Sequence, residues 1–297
     1  MGRVRRRTAI KGAALWAGAA ALGACTISHP PEVQPTPTTA RPATTAPVAP
    51  PTGRAPSTTF PVHTEKLKLA RGADRPLPTT IWRPAAEGTY PLVLFSHGLN
   101  ATPEGYDDLL TPWARAGFIV AAPTYPYTSA GASQFNAVDV LNQPGDASYV
   151  ITQVTQRLGA GVGPIGAAGH SAGGVTTRGL FSGRRDARLR AGVVLSGRQI
   201  IKTPLTGAAT PLLFVHGTRD ETVAYADGHA VYDAVTWPKA FLTVTGGGHV
   251  PTGAELDVVA VTSTDFLRWS LYGDPAARKR LPADATRGDL ATLESRL

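Results

Sequence analysis

Pro164-Ile165-Gly166-Ala167-Ala168-Gly169-His170-Ser171-Ala172-Gly173-Gly174-Val175 is the stretch that decides the fold. Residues 164–168 are small and apolar and read as a short buried strand; Val175 to Phe181 reads as the start of a helix. Between them stands Gly-x-Ser-x-Gly, the pattern of a serine held on a sharp strand-to-helix turn. Such a turn lifts the Ser171 hydroxyl clear of the sheet on a strained backbone. Gly169 and Gly173 leave room for it, because a Cβ at either place would crowd the neighbouring strand and helix. The turn also puts Ser171 at a helix N-terminus, where the N–H of Ala172 is predicted to face a developing oxyanion. A serine that merely caps its helix would fit the same hexapeptide, so the rest of the chain must decide.

Upstream, Pro91 to Phe95 is a continuous apolar run, as in a strand covered on both faces, and it leads into Ser96-His97-Gly98-Leu99-Asn100. Val62 to Leu69 alternates as an edge strand does. Thr79 to Trp82 is a further strand, with Pro76-Leu77-Pro78 as the turn before it. Tyr106 to Ala116 has helical spacing and stops at Gly117; Phe118 to Ala122 is again a buried strand. A loop from Pro123 to Asn136 follows, then a helix capped by Asp146. Downstream, Ala191–Leu195, Pro211–Val215 and Ala240–Thr245 read as strands, and Asp227–Val235 and Glu255–Tyr272 as helices. The tail from Asp274 is polar and is expected to be partly disordered. Strands alternating with helices predict an α/β fold, a mostly parallel central sheet with helices on both faces. The connections are too short for a large lid.

The first 59 residues read differently. Arg3, Arg5, Arg6, Arg7 and Lys11 form a basic start with no acid among them, followed by an apolar stretch, Gly12 to Leu22, too short to span a bilayer. Residues 1–24 are expected to be a signal peptide: Arg6-Arg7 resembles a twin-arginine export signal, and Leu22-Gly23-Ala24-Cys25 resembles a bacterial lipobox. On that reading Cys25 carries a lipid that anchors the protein on the extracytoplasmic side of the cell membrane; an ordinary secretory signal would instead leave it secreted. Cys25 is the only cysteine, so the chain has no internal disulfide and no thiol nucleophile elsewhere. Residues 25–59 are dense in Pro and Thr and read as an extended linker. The catalytic domain is then 60–297. The formal charge of +8 becomes only mildly basic once the signal segment is set aside, and no basic patch interleaved with aromatics remains, which argues against nucleic acid as a partner.

In open α/β sheets chemistry collects at the carboxyl ends of the strands. Ser171 follows one strand; Asp220 follows another, in His216-Gly217-Thr218-Arg219-Asp220; His249 follows a third, in Gly246-Gly247-Gly248-His249. A serine hydroxyl is a weak nucleophile near neutral pH. His249 would take its proton and return it to the leaving group, and Asp220 would hold the imidazole in the useful tautomer. Glu221 and Asp227 are rivals to Asp220; the first would point the other way and the second begins a helix. The second oxyanion donor is expected to be the N–H of Leu99. Tyr125, Tyr127 and Phe135 are candidates for lining an acyl pocket or for covering the sheet edge. Arg198 is a candidate for the rim, where it would favour an acidic or phosphate-bearing substrate, or a solvated surface arginine. His97 is expected to shape the oxyanion loop, and His216 and His170 to be structural.

With these residues placed, the chain from about Phe60 to Tyr272 resembles the α/β-hydrolase family, and within it the cutinase-like, polyester-hydrolase-like and dienelactone-hydrolase-like bacterial serine esterases. Ser96-His97-Gly98, Gly169 to Gly174, His216 to Asp220 and Gly247-Gly248-His249 carry the resemblance. It implies hydrolysis of carboxylic esters through an acyl-enzyme, as in esterases and lipases, with no metal and no organic cofactor. Two features depart from those relatives: Ser171 stands where dienelactone hydrolases carry cysteine, and Ser196-Gly197-Arg198 stands where polyester hydrolases typically carry a tryptophan. The expected partners are a small-molecule or lipid ester and the membrane, and the expected state is a monomer. An acyltransferase or peptidase could use the same three side chains, since they determine the acyl-enzyme and not the acceptor. A binding protein on a hydrolase scaffold is the remaining alternative.

Overall fold

The computed structural model describes residues 53–200 and 202–297; the predicted signal segment, Cys25 and the linker as far as residue 52 lie outside the described residues. Among the described residues nine strands form one sheet: β1 (Val62–Ala70), β2 (Pro76–Pro84), β3 (Tyr90–Ser96), β4 (Ile119–Pro123), β5 (Val162–His170), β6 (Leu189–Leu195), β7 (Leu212–Gly217), β8 (Lys239–Val244) and β9 (Ala291–Arg296). Their order across the sheet is β1-β2-β4-β3-β5-β6-β7-β8-β9. From β4 to β8 every pairing is parallel, while β1, β2 and β9 run antiparallel to their neighbours at the edges.

The central strands are buried on both faces. In β3, Val93 and Phe95 belong to one apolar core and Leu92 and Leu94 to the other, as the two-residue repeat of a strand requires. The first core packs against α1 (Asp107–Arg115), α5 (Gly253–Tyr272) and α6 (Pro275–Ala285). The second packs against α2 (Gln143–Leu158) and α4 (Tyr225–Asp233). The helix after the serine, α3 (Ala172–Gly179), is tied to α2 by a hydrogen bond of 2.5 Å from Thr176 Oγ1 to Gln143 Oε1.

Four expectations need correction. Pro76-Leu77-Pro78 lies within β2; the turn is at residues 71–75, closed by the Arg71 N–H on the Arg75 carbonyl at 2.9 Å. Proline's fixed φ suits the start of a strand, and Leu77 between the two prolines is fully buried. Asp146 does not cap its helix, which begins three residues earlier. Its buried carboxylate is held by two arginines, Arg71 Nε at 2.7 Å and Arg75 Nη2 at 2.5 Å, and Arg75 also reaches Asp139 at 2.7 Å. Two guanidinium groups outcompete a backbone N–H as partners for a buried charge. This network joins the β1–β2 turn to the segment below the loop that follows β4.

The tail from Asp274 is ordered structure. Asp274 caps α6 by accepting from the N–H of Ala276 at 2.9 Å, and β9 pairs along the whole of β8. Leu281, Ala285 and Ala291 are buried, an apolar pattern hidden in the sequence by Arg278, Lys279 and Arg280. The packed domain also reaches back before Phe60. Gly53 donates to the Tyr272 carbonyl at 2.7 Å, Ala55 to Asp274 Oδ2 at 3.3 Å, and Ala55 is buried.

Candidate active site

Ser171 stands between β5 and α3, at the N-cap position of the helix, with φ 56° and ψ −118°, a conformation costly for a residue with a Cβ. Neighbouring bonds over-determine it: the Ser171 N–H donates to the Leu195 carbonyl at 2.8 Å, and the Gly174 N–H donates to the Ser171 carbonyl at 2.9 Å. Gly173 makes the turn possible. A Cβ there would lie 1.9 Å from the Ser96 carbonyl oxygen, so only glycine lets the end of β3 approach α3 this closely.

Asp220 and His249 sit on adjacent loops that are stitched together. Arg219 N–H donates to the Gly247 carbonyl at 2.8 Å, and Gly246 N–H to Thr218 Oγ1 at 2.8 Å. Gly217 permits this contact, since a Cβ there would stand 2.2 Å from the Gly247 carbonyl oxygen. The three side chains singled out in the sequence meet. His249 Nδ1–H donates to Asp220 Oδ2 at 2.8 Å, and His249 Nε2 accepts from the Ser171 hydroxyl at 2.9 Å. Glu221 and Asp227 are both exposed and outside this arrangement.

The Asp220 carboxylate is buried and well held. Burial alone would push its pKa up. The N–H of Val223 at 2.8 Å, the His249 ring and the N–H of Thr222 at 2.9 Å outweigh that and hold it below the ordinary aspartate range. His216 Nε2 lies 3.2 Å from Asp220 Oδ2 and 2.9 Å from the Val223 carbonyl, so it braces the carboxylate from beneath. Asp220 is thus ionised when the imidazole needs a negative partner.

The loop after β3 is built around His97. Its Nδ1–H donates to the Gly98 carbonyl at 2.7 Å and its Nε2 accepts from the Tyr125 N–H at 3.1 Å. Gly98 lies against Ser171: a Cβ on it would be 3.3 Å from that of the serine. No acceptor among the described residues takes the N–H of Leu99 or of Ala172. Tyr125 requires a correction. Its side chain is fully buried and its hydroxyl is bonded to Ser96 Oγ at 2.8 Å, so it supports the loop from below and presents no surface to a ligand. Phe135 is 52% exposed on the rim. Arg198 is exposed and borders a cavity beside α3.

Three further residues hold the site together. His170, the variable position of the serine motif, is buried and spans two loops: Nε2–H donates to the His249 carbonyl and Nδ1 accepts from the Tyr106 hydroxyl, both at 2.8 Å. Tyr106 in turn accepts from the Gly98 N–H at 3.0 Å. Ser196 donates a second hydrogen bond to the His249 carbonyl at 3.0 Å. A residue at the variable position carries no periodic signal, and its partner Tyr106 is 64 residues away, so nothing in the sequence points to the pair.

The exposed large apolar side chains among the described residues are Leu99, Phe135, Val138, Ile200 and Val250. Four lie on loops and Val138 in a short 3-10 helix, each in a segment that follows the carboxyl end of a strand, the end that also bears Ser171 and His249. A cavity of about 180 Å³ opens beside His170 between Tyr106, Leu109, Leu195, Val250 and Pro251.

Comparison with known proteins gives a consistent picture. The Chlorophyllase family profile matches residues 51–196. Chlorophyllase-1, chloroplastic, of Citrus sinensis is 33% identical over 106 residues, covering 34% of this chain and 31% of that protein; the Citrus unshiu protein gives the same figures. The chain therefore spans about a third of the length of the curated relatives it matches. With the sheet described above, these matches establish an α/β-hydrolase fold and align the chain with an esterase family of that fold. They do not support the narrower resemblance to cutinases or dienelactone hydrolases.

Burial pushes the His170 pKa down to about 4, from an ordinary value near 6.5. The unfolded chain takes up this proton at the higher pH, so the contribution of His170 is complete above pH 6.5 and is lost as pH falls toward 4. The difference corresponds to roughly 3 kcal/mol. Urea unfolding between pH 7 and 4 should show a shallower acid loss in His170→Asn than in the parent protein, by an amount of that order. Identical slopes in the two proteins would contradict the assignment.

Proposed function

We propose that this chain is a serine hydrolase that cleaves carboxylic esters, exported and tethered to a membrane by a lipid on Cys25. One observation carries the catalytic part: Ser171 Oγ, His249 and Asp220 form an unbroken hydrogen-bonded line at 2.9 and 2.8 Å beside the Gly98 loop. The match to an esterase family supports ester hydrolysis. Chlorophyll is named for the relatives; for this chain we carry over the reaction class and not the pigment.

On this reading His249 Nε2 removes the Ser171 proton as the oxygen attacks the ester carbonyl. The tetrahedral oxyanion is received by the N–H groups of Leu99 and Ala172, backbone donors that stabilise the charge as it develops. The imidazolium is stabilised by Asp220 and gives its proton to the departing alcohol. Water then enters, loses a proton to the same nitrogen, and releases the acid from the acyl-enzyme. His170 takes no part in proton transfer: its low basicity and its two occupied nitrogens leave it neutral and engaged. The apolar rim of Leu99, Phe135, Val138, Ile200 and Val250 favours esters with a substantial hydrocarbon part.

Two experiments test the two halves. On p-nitrophenyl butyrate, Ser171→Ala and His249→Gln should each lower kcat about a million-fold and Asp220→Asn about ten-thousand-fold, without adding in combination. Retention of a tenth of the activity by any one of them would overturn the assignment. Turnover appearing only with an added alcohol or amine acceptor would favour a transferase. For the anchor, Cys25→Ala should move the protein from the membrane fraction to the soluble one, since an acyl chain supplies about 0.8 kcal/mol per buried methylene. Unchanged membrane retention would sink that half of the proposal.

A further inference from the structure

Ser171 immediately precedes α3, and a second cavity of about 170 Å³ lies along the same helix. Its apolar part comes from Val140, Leu141, Val175 and Ile200; its polar wall holds Arg178, Arg184 and Arg198. Among the described residues no aspartate or glutamate lines it. None of the three arginines forms an ion pair with a carboxylate among the described residues. Arg178 is the innermost. Its Nη2 donates to the Thr203 carbonyl at 2.8 Å, and its Nε is buried without an acceptor. Burial also lowers its pKa, the sign of a cation held without compensation.

A simpler origin exists for one arginine. Arg178 stands in the last turn of α3, where a cation is favoured by the helix dipole. That explanation does not extend to the other two. Arg184 arrives from the segment after α3 and Arg198 from the loop after β6, so two separate stretches of chain, residues 178–184 and the loop after β6, bring positive charge to one concave surface. Like charges gathered without counter-charges repel one another, and an anionic ligand relieves the repulsion.

Position indicates what kind of ligand. Val175 is one helical turn from Ser171 and Arg178 about two, so the cationic wall stands roughly 10 Å along the helix from the nucleophile. We propose that this cavity binds an anionic group, carboxylate or phosphate, carried by the ester substrate at the end of a short apolar spacer. The proposal rests on the hydrolase reading above and adds its substrate class. Val140, Leu141 and Ile200 would hold the spacer, while the arginines accept the charge in forked, charge-assisted hydrogen bonds.

The test compares the p-nitrophenyl monoester of adipic acid, which is anionic, with its neutral methyl-capped counterpart. The parent protein should favour the anionic ester in kcat/KM by about tenfold or more, and Arg184→Gln/Arg198→Gln should cut that ratio about tenfold, chiefly through KM. Both positions are exposed, so the substitutions spare the packed core. Free adipate should inhibit the parent competitively and the double variant weakly. An unchanged ratio, or no preference for the anion in the parent, would overturn the proposal while leaving ester hydrolysis intact. Failure of the parent on both esters would count against the hydrolase reading instead. Calorimetric titration with adipate then decides the site alone: binding lost in the double variant supports it, and no binding to the parent removes it.

Discussion

The backbone carbonyl of His249 accepts hydrogen bonds from two directions, Ser196 Oγ at 3.0 Å and His170 Nε2 at 2.8 Å, and the geometry of the site depends on that grip. A histidine on a glycine-rich loop has many conformations to lose. Two donors on its carbonyl and Asp220 on its Nδ1 leave the ring one orientation, with Nε2 on the serine oxygen. The second nitrogen of His170 extends the grip to the loop after β3, through Tyr106 to the Gly98 N–H. The loops after β3, β5 and β8 are therefore positioned by one connected set of bonds. Such preorganisation is what an electrostatic site needs, because groups already in place do not have to be reoriented as charge develops.

Glycine makes the convergence possible. Gly173 lets α3 approach the end of β3, and Gly217 lets the loops of Asp220 and His249 touch, each at a distance no Cβ would tolerate. The strained Ser171 backbone persists because β5 on one side is locked into the centre of a sheet covered on both faces and α3 on the other packs closely against the end of β3. Fold and site are thus one construction: the parallel core holds the strand ends still, and the close approaches at those ends bring distant residues into contact.

Much of this was legible in the sequence, for identifiable reasons. Continuous apolar runs at Pro91–Phe95 and Phe118–Ala122 are what two-sided burial requires, and they marked the central strands. Ser171, Asp220 and His249 stood out because each follows such a strand within a glycine-bearing loop. What was not legible depends on partners far away in the chain. Asp146 looked like a helix cap because its arginine partners, Arg71 and Arg75, lie more than 70 residues earlier. Tyr125 looked like a pocket residue because an aromatic in a loop gives no sign of a buried hydroxyl partner at Ser96. The tail after Asp274 looked disordered because its few buried side chains are outnumbered by charges, and β9 acquires its order from pairing with β8.

The central claim is that Ser171 is activated by this arrangement and not by its motif alone. Mass spectrometry after treatment with a fluorophosphonate measures that directly. One phosphonyl adduct per chain is expected, mapped to Ser171, with labelling strongly suppressed in folded His249→Gln. An adduct on a different serine, or equal labelling when His249 is replaced, would contradict it.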